Sequence, residues 1–189
     1  MPGKVAGSAA EGGVMSRLAA FNLKDWIEEH RHLLRPPVGN AVVWQDSEFI
    51  VMVVGGPNRR NDFHIDPGEE FFHQIVGNMT LTVMEDGRPR DIPIREGEVL
   101  LLPPLVPHSP QRPAESVGMV IERVRAAHER DHLQWYCESC HALLHDRAFH
   151  AKDLATQLTP IIEEFYADEE LRRCDGCGTV TQPPAAVEA

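Results

Sequence analysis

Two groups of residues in this 189-residue chain have the types and spacing to hold metal, and they differ in kind. The first is soft. Cys137-x2-Cys140 and, 33 residues on, Cys174-x2-Cys177 supply four thiolates for one tetrahedral ion, and glycines after the second pair allow a tight knuckle turn. This spacing identifies a metal site but not the metal, because rubredoxin-like iron and structural zinc both accept four thiolates. The run "CESCH" also fits a c-type haem attachment pattern with His141 as axial ligand. Haem is set aside because the first twenty residues lack the apolar core of an export signal and the second cysteine pair would have no purpose. The second group is hard. "FHIDPGEEFF", residues 63–72, crowds His64, Asp66, Glu69 and Glu70 among three phenylalanines that belong to a buried sheet. An unpaired buried charge costs on the order of several kcal/mol, so these groups need a partner such as an ion.

The elements that must position these groups follow from the surrounding pattern. Asn22 can cap a helix from Leu23 to Leu34, with Leu23, Trp26, Ile27, His30 and Leu34 at helical spacing and Arg35-Pro36-Pro37 to stop it. From there to Arg125 the chain alternates β-rich runs with turn chemistry. Seven strands are expected, in "AVVWQ", "FIVMVVGG", "EEFFHQIVG", "MTLTVME", "DIPIRE", "EVLLLPP" and "VGMVIERV". That number of short strands at this spacing indicates a sandwich or a jelly-roll barrel. Strand parity separates the adjacent glutamates: Glu70 shares a face with Phe72, and Glu69 with Phe71 and His73. "DLATQLTPIIEEFYADEEL" reads as helix, with Leu154, Leu158, Ile161, Ile162 and Phe165 on one face and Pro160 expected to kink or divide it.

Composition narrows the function classes. A formal net charge of −11 argues against a nucleic-acid binder, since no basic stripe exists to displace counterions. No apolar run approaches the roughly 20 residues of a membrane span. Paired cysteines suit a reducing cytoplasm. The expected organisation is a disordered extension over 1–15, a catalytic barrel over 16–125, a cysteine-bearing helical extension over 126–180 and a flexible tail over 181–189. Met15 is a candidate second start.

Gly56, Asp62, His64, Glu70 and Gly77, followed by Gly97, Pro103 and His108, resemble the paired motifs of the cupin superfamily, in which two hairpins of a small barrel aim histidines and a glutamate at one metal. The resemblance implies a cupin jelly-roll β-barrel, dominated by β structure, with an N-terminal helix and a C-terminal helical extension. Two departures stand out: Asp62 replaces the first motif histidine, and Leu105 replaces a usual glycine. With Asp62 not a ligand, His64, Glu70 and His108 remain. This two-histidine, one-carboxylate set with open positions is the arrangement of non-haem Fe(II) oxygenases. Parity and the spacing to Gly77 favour Glu70 over Glu69.

"VVGGPNRRNDFHIDPGEEFFHQIVGNMTL" and "GEVLLLPPLVPHSPQRP" resemble the 3-hydroxyanthranilate 3,4-dioxygenase family more narrowly, and "HLLRPPVGN", "WQDSEFIVMVVGGPN" and "VIERVR" extend the likeness over about residues 20–180. The resemblance implies an Fe(II)-dependent extradiol-type enzyme that opens 3-hydroxyanthranilate with O2 to 2-amino-3-carboxymuconate semialdehyde. That product closes spontaneously to quinolinate, on the kynurenine route from tryptophan toward pyridine nucleotides. It further implies that Arg60 and Arg112 bind the substrate carboxylate, where a planar fork serves better than lysine. Glu122 would meet the hydroxyl or amine, and Asn40 would lie in a substrate-side loop. Bacterial members of the family carry the four-cysteine site and animal members do not, which implies a structural clamp rather than a part of ring cleavage. A homodimer is plausible, from edge strands and the helical extension. Two alternatives are another metal-dependent cupin enzyme, such as a different ring-cleaving dioxygenase or a sugar isomerase, and a non-catalytic ligand-binding cupin. The "PHSPQRP" block opposes the first, and the intact triad opposes the second.

Overall fold

The computed structural model describes residues 19–35, 39–44, 47–152 and 154–184. The extension expected over 1–15, Pro36-Pro37 and the last five residues lie outside them. Among the described residues, eleven strands form two antiparallel sheets. One has the order β1-β2-β9-β4-β7, the other β11-β10-β3-β8-β5-β6. In the first sheet β1 is Asn40–Trp44, β2 Phe49–Gly55, β4 Glu70–Val76, β7 Val99–Leu102 and β9 Val117–Arg123. In the second, β3 is Asp62–Ile65, β5 Met79–Glu85, β6 Arg88–Ile94, β8 His108–Gln111, β10 Asp131–Tyr136 and β11 Leu143–Phe149. Two facing antiparallel sheets with this β content match the expected jelly-roll. The core between them is built on Met52, Phe72, Met79, Leu81, Val83, Ile94, Leu102 and Val120.

Four strands exceed the seven expected. β3 and β8 are four residues long and interrupted by polar residues or proline, so neither shows the apolar run by which strands are recognised. β10 and β11 fall in the His- and Cys-rich region. Even so, β10 alternates cleanly, with Asp131, Leu133 and Trp135 buried. β10 pairs with β3 in register His64↔Leu133, so the barrel sheet continues across the boundary expected at residue 125.

The helices differ in their limits. α1 spans Leu23–Glu29, and the Asn22 side chain accepts hydrogen bonds from the amides of Lys24 and Asp25. It gives way to a 3-10 turn at Arg31–Leu33, short of the expected end at Leu34. Ile27 and Leu34 pack on Ala41, Val53 and Val117. α2, Leu154–Ala167, runs through Pro160 rather than dividing there; the break comes at Asp168, which caps α3, Glu169–Arg172. Phe165 of α2 stacks on Trp135 of β10 with centroids 4.3 Å apart, which docks the extension onto the barrel. The segment after residue 180 is not a free tail throughout. Thr181 is buried, and the Gln182 carbonyl accepts a hydrogen bond from Asn61 Nδ2 at 3.1 Å. Among the described residues no helix is long and apolar enough to cross a membrane.

Candidate metal centres and the barrel interior

Register places the hard group. His64 of β3 and His108 of β8 are direct cross-strand partners, while Glu70 of β4 sits opposite Glu122 of β9 in the facing sheet. All four side chains point between the sheets and are buried. Glu69, one residue earlier, is exposed, as parity requires. Glu70 Oε1 lies 3.0 Å from His108 Nε2 and 3.8 Å from His64 Nδ1. At 3.0 Å the His108 contact is close, yet Glu70 Oε1 is buried without a hydrogen bond of acceptable geometry, as donors aimed at a common third point would be. Donor atoms at about 2.1 Å from one ion and at right angles to each other stand about 3.0 Å apart, so the triad fits a divalent cation. Burial pushes Glu70 up, but the facing His108 and His64 outweigh it and hold it down to about 2. Burial likewise pushes His108 down, and Glu70 more than reverses that.

Asp62 is not part of this cluster; its carboxylate is held by Arg60. Arg60 is half-buried at the triad end, where its charge is felt at both Glu70 and His108. Leu105, at the position of the missing motif glycine, has φ of 63°, the left-handed region that glycine enters without strain.

The inward faces form three successive bands. The first carries Ile50, Glu122, Glu70 and Leu102 across one sheet, opposite the two histidines. The second is apolar, with Val42, Met52, Val120, Phe72 and Leu100, facing Leu81. The third brings Asn40, Val54, Gly118 and Gln74 into one row. Gln74 Oε1 accepts from Arg112 Nη1 at 3.2 Å. A Cβ on Gly118 would stand 2.7 Å from that nitrogen, so this glycine makes the space that the guanidinium fills. Arg112 is buried, its Nε has no hydrogen-bond partner, and no carboxylate among the described residues pairs with it. Burial alone pulls it down to about 10. The outer bands are four residues apart along the strands, about 13 Å at the usual rise.

Glu122 is pushed up to about 8, first by burial and then by the charge on Glu70, with Arg125 opposing. Its Oε1 is buried without a partner. Arg125, fully buried, contacts Asp66 at 2.7 Å, Asp131 at 2.6 Å and Glu122 at 3.3 Å. Sequence reading did not single out Arg125 or Asp131. The signal lay in the burial parity of β10 and in a third ionisable residue after "VIER".

The soft group also closes. Cys137 and Cys177 Sγ atoms are 3.4 Å apart, and those of Cys140 and Cys174 are 3.5 Å apart. All four lie within 4.8 Å of one another. Tetrahedral ligation at about 2.3 Å sets sulfurs about 3.8 Å apart, so the cage fits one ion. Two matching knuckles build it: the amides of His141 and Gly178 return to the carbonyls of Cys137 and Cys174. Both residues have positive φ, although only one is glycine.

Residues 15–166 match the sequence family described as 3-hydroxyanthranilic acid dioxygenase. The chain is 55% identical over 171 residues to a 3-hydroxyanthranilate 3,4-dioxygenase of Xanthomonas oryzae pv. oryzae, covering 89% of this chain and 97% of that one. Proteins of the same name from Ruegeria pomeroyi and Jannaschia sp. are 49% and 51% identical, each over 90% of this chain and 97% of their own.

Proposed function

The chain belongs to the 3-hydroxyanthranilic acid dioxygenase family, and from that premise we propose that it cleaves the ring of 3-hydroxyanthranilate with O2 at an Fe(II) ion held by His64, Glu70 and His108. The observation that carries this reading is the pairing of a buried three-donor triad with a buried guanidinium, Arg112, that lacks an anionic partner across an apolar band. Fe(II) held by these residues would supply the activation of dioxygen, passing to it electrons from the bound aromatic substrate.

The chain's own residues do the rest. Three protein donors leave positions for substrate and O2. The band of Met52, Phe72 and Val120 receives the ring and excludes water. Arg60, at the triad end, orients the carboxylate by sharing the charge it now gives to Asp62, and Arg112 joins it by turning from Gln74 in the third band toward the triad. Asn40 borders the third band as a hydrogen-bonding group. Burial and the charge on Glu70 favour the protonated form of Glu122, whose Oε1 has no hydrogen-bond partner. Neutralising the charge on Glu70 removes one of these causes and frees Oε1 to take the substrate hydroxyl proton. The product is 2-amino-3-carboxymuconate semialdehyde, which closes to quinolinate on the kynurenine route. Oxygen uptake by the Fe(II)-loaded protein with 3-hydroxyanthranilate tests the assignment, and its absence at full occupancy overturns it.

At the four cysteines, zinc or rubredoxin-like iron would clamp the C-terminal extension. The four cysteines are spaced for a metal rather than joined as disulfides, usage that suits a reducing cytoplasm. A homodimer through the outer face of the β1-β2-β9-β4-β7 sheet is supported by exposed Phe49, Val99, Leu101 and Leu105. A groove of about 440 Å³ on the same face is lined by Phe49, Phe71, Leu101, Pro104 and Ile121, with the charged Glu69, Glu122 and Arg123 also in its wall. Leu101→Lys is expected to convert the dimer to a monomer in sedimentation velocity without loss of metal at either site. A wild-type chain that sediments as a monomer at tens of micromolar would refute the interface.

A further inference from the structure

Asp131 is wholly buried on β10, outside the triad, and has no part in the reaction as derived above. Its Oδ2 lies 2.8 Å from His64 Nε2. Arg125 grips the same carboxylate, with Nε 3.0 Å from Oδ1 and Nη2 2.6 Å from Oδ2. Strand pairing brings this about. Leu133 is the register partner of His64, and Asp131, two residues earlier on the same face, is its diagonal neighbour.

The chemistry of that contact has one consistent form. An ionised carboxylate only accepts hydrogen bonds and a guanidinium only donates them. Arg125 fixes Asp131 as a carboxylate, so the shared proton sits on His64 Nε2. His64 Nδ1, which faces Glu70 Oε1 at 3.8 Å, then keeps its lone pair. We propose that Asp131, clamped by Arg125, is a positioning residue for the first metal site: it fixes the tautomer and ring plane of His64, so that Nδ1 and not a proton is presented to the ion. The proposal rests on the reading of His64, Glu70 and His108 as a metal site. It adds a carboxylate–histidine–metal relay to that site, supplied by a strand beyond the region in which the ligands lie.

Two readouts test it without recourse to turnover. In the full-length protein loaded with Zn(II) at both sites and labelled with 15N-histidine, His64 is expected to be metal-bound at Nδ1 and to carry a downfield, slowly exchanging proton on Nε2. In Asp131→Asn the side-chain carbonyl is expected to turn to Arg125 and its NH2 to His64, which forces the proton to Nδ1. Competition with a chromophoric chelator should then give Zn(II) affinity about 10- to 100-fold weaker at the first site and unchanged at the four cysteines. His64 bound through Nε2 in the wild type, or Asp131→Asn affinity within twofold of wild type, overturns the proposal. Should Asp131→Asn fail to fold, the wild-type spectrum decides. A wild-type chain that takes no Zn(II) at the triad overturns the underlying metal assignment as well, and so is distinguishable from failure of the relay alone.

Discussion

His108→Ala is expected to abolish turnover and to leave the protein with one bound metal per chain instead of two, the survivor at the cysteine cage. His108 supplies one of three protein donors, and its Nε2 stands 3.0 Å from the Glu70 oxygen it shares the ion with. Two donors 3.8 Å apart, His64 Nδ1 and Glu70 Oε1, cannot hold a labile divalent ion against solvent chelators. Truncating one member of a buried ion pair commonly costs about 3–5 kcal/mol through the charge left behind. The cost here should be smaller, because Glu70, held down to about 2 chiefly by His108, can take up a proton once that histidine is gone. The variant should therefore fold, and elemental analysis should read the lost metal. Loss of both metals would contradict two independent sites, which the geometry separates: the cage is built from the knuckles after β10 and α3, not from the barrel strands that carry the triad.

Arg112→Met should separate function from stability in opposite directions. Arg112 is buried, hydrogen-bonded only to Gln74 and Asn58 among the described residues, and pulled down to about 10 by burial. The Asn58 contact uses the Arg112 amide and survives the substitution. An uncompensated buried cation destabilises the free protein, so an apolar side chain of similar length should leave melting temperature unchanged or raise it. The substrate carboxylate would lose its partner in a site without water. Removing one side of such a pair costs about 2–5 kcal/mol, or about 30- to 4,000-fold in kcat/KM. A melting temperature that falls while kcat/KM holds would make Arg112 a structural residue.

The site was legible where the chain writes chemistry in fixed spacings. His64, Glu70 and His108 sit on strands whose register was not predicted, yet one-in-two alternation put Glu70 and Glu69 on opposite faces and the spacing to Gly77 singled out Glu70 as the inward one. The cysteine pairs close as their spacing implies, although only Gly178 announced its turn; His141 takes the same left-handed conformation with nothing in its residue type to say so. The long-range partners were not legible. Asp131 reaches the triad only because β10 pairs with β3, a contact between residues about 70 positions apart in sequence, and Arg125, just past β9, meets it there through an ion pair. Gly118, inside "VGMVIERV", carries no sequence signal of its own; the Arg112 guanidinium that packs against it gives it a purpose. Pro160 does not divide α2, which continues to Ala167 and docks Phe165 on Trp135.

Oxygen consumption by the full-length protein reconstituted anaerobically with Fe(II), then mixed with 3-hydroxyanthranilate in aerated buffer, tests the central claim most directly. One O2 should be taken up per substrate, with formation of an ultraviolet-absorbing semialdehyde that decays without enzyme to quinolinate. A protein with iron confirmed at the triad that consumes no oxygen, or that consumes it without opening the ring, would contradict the assignment.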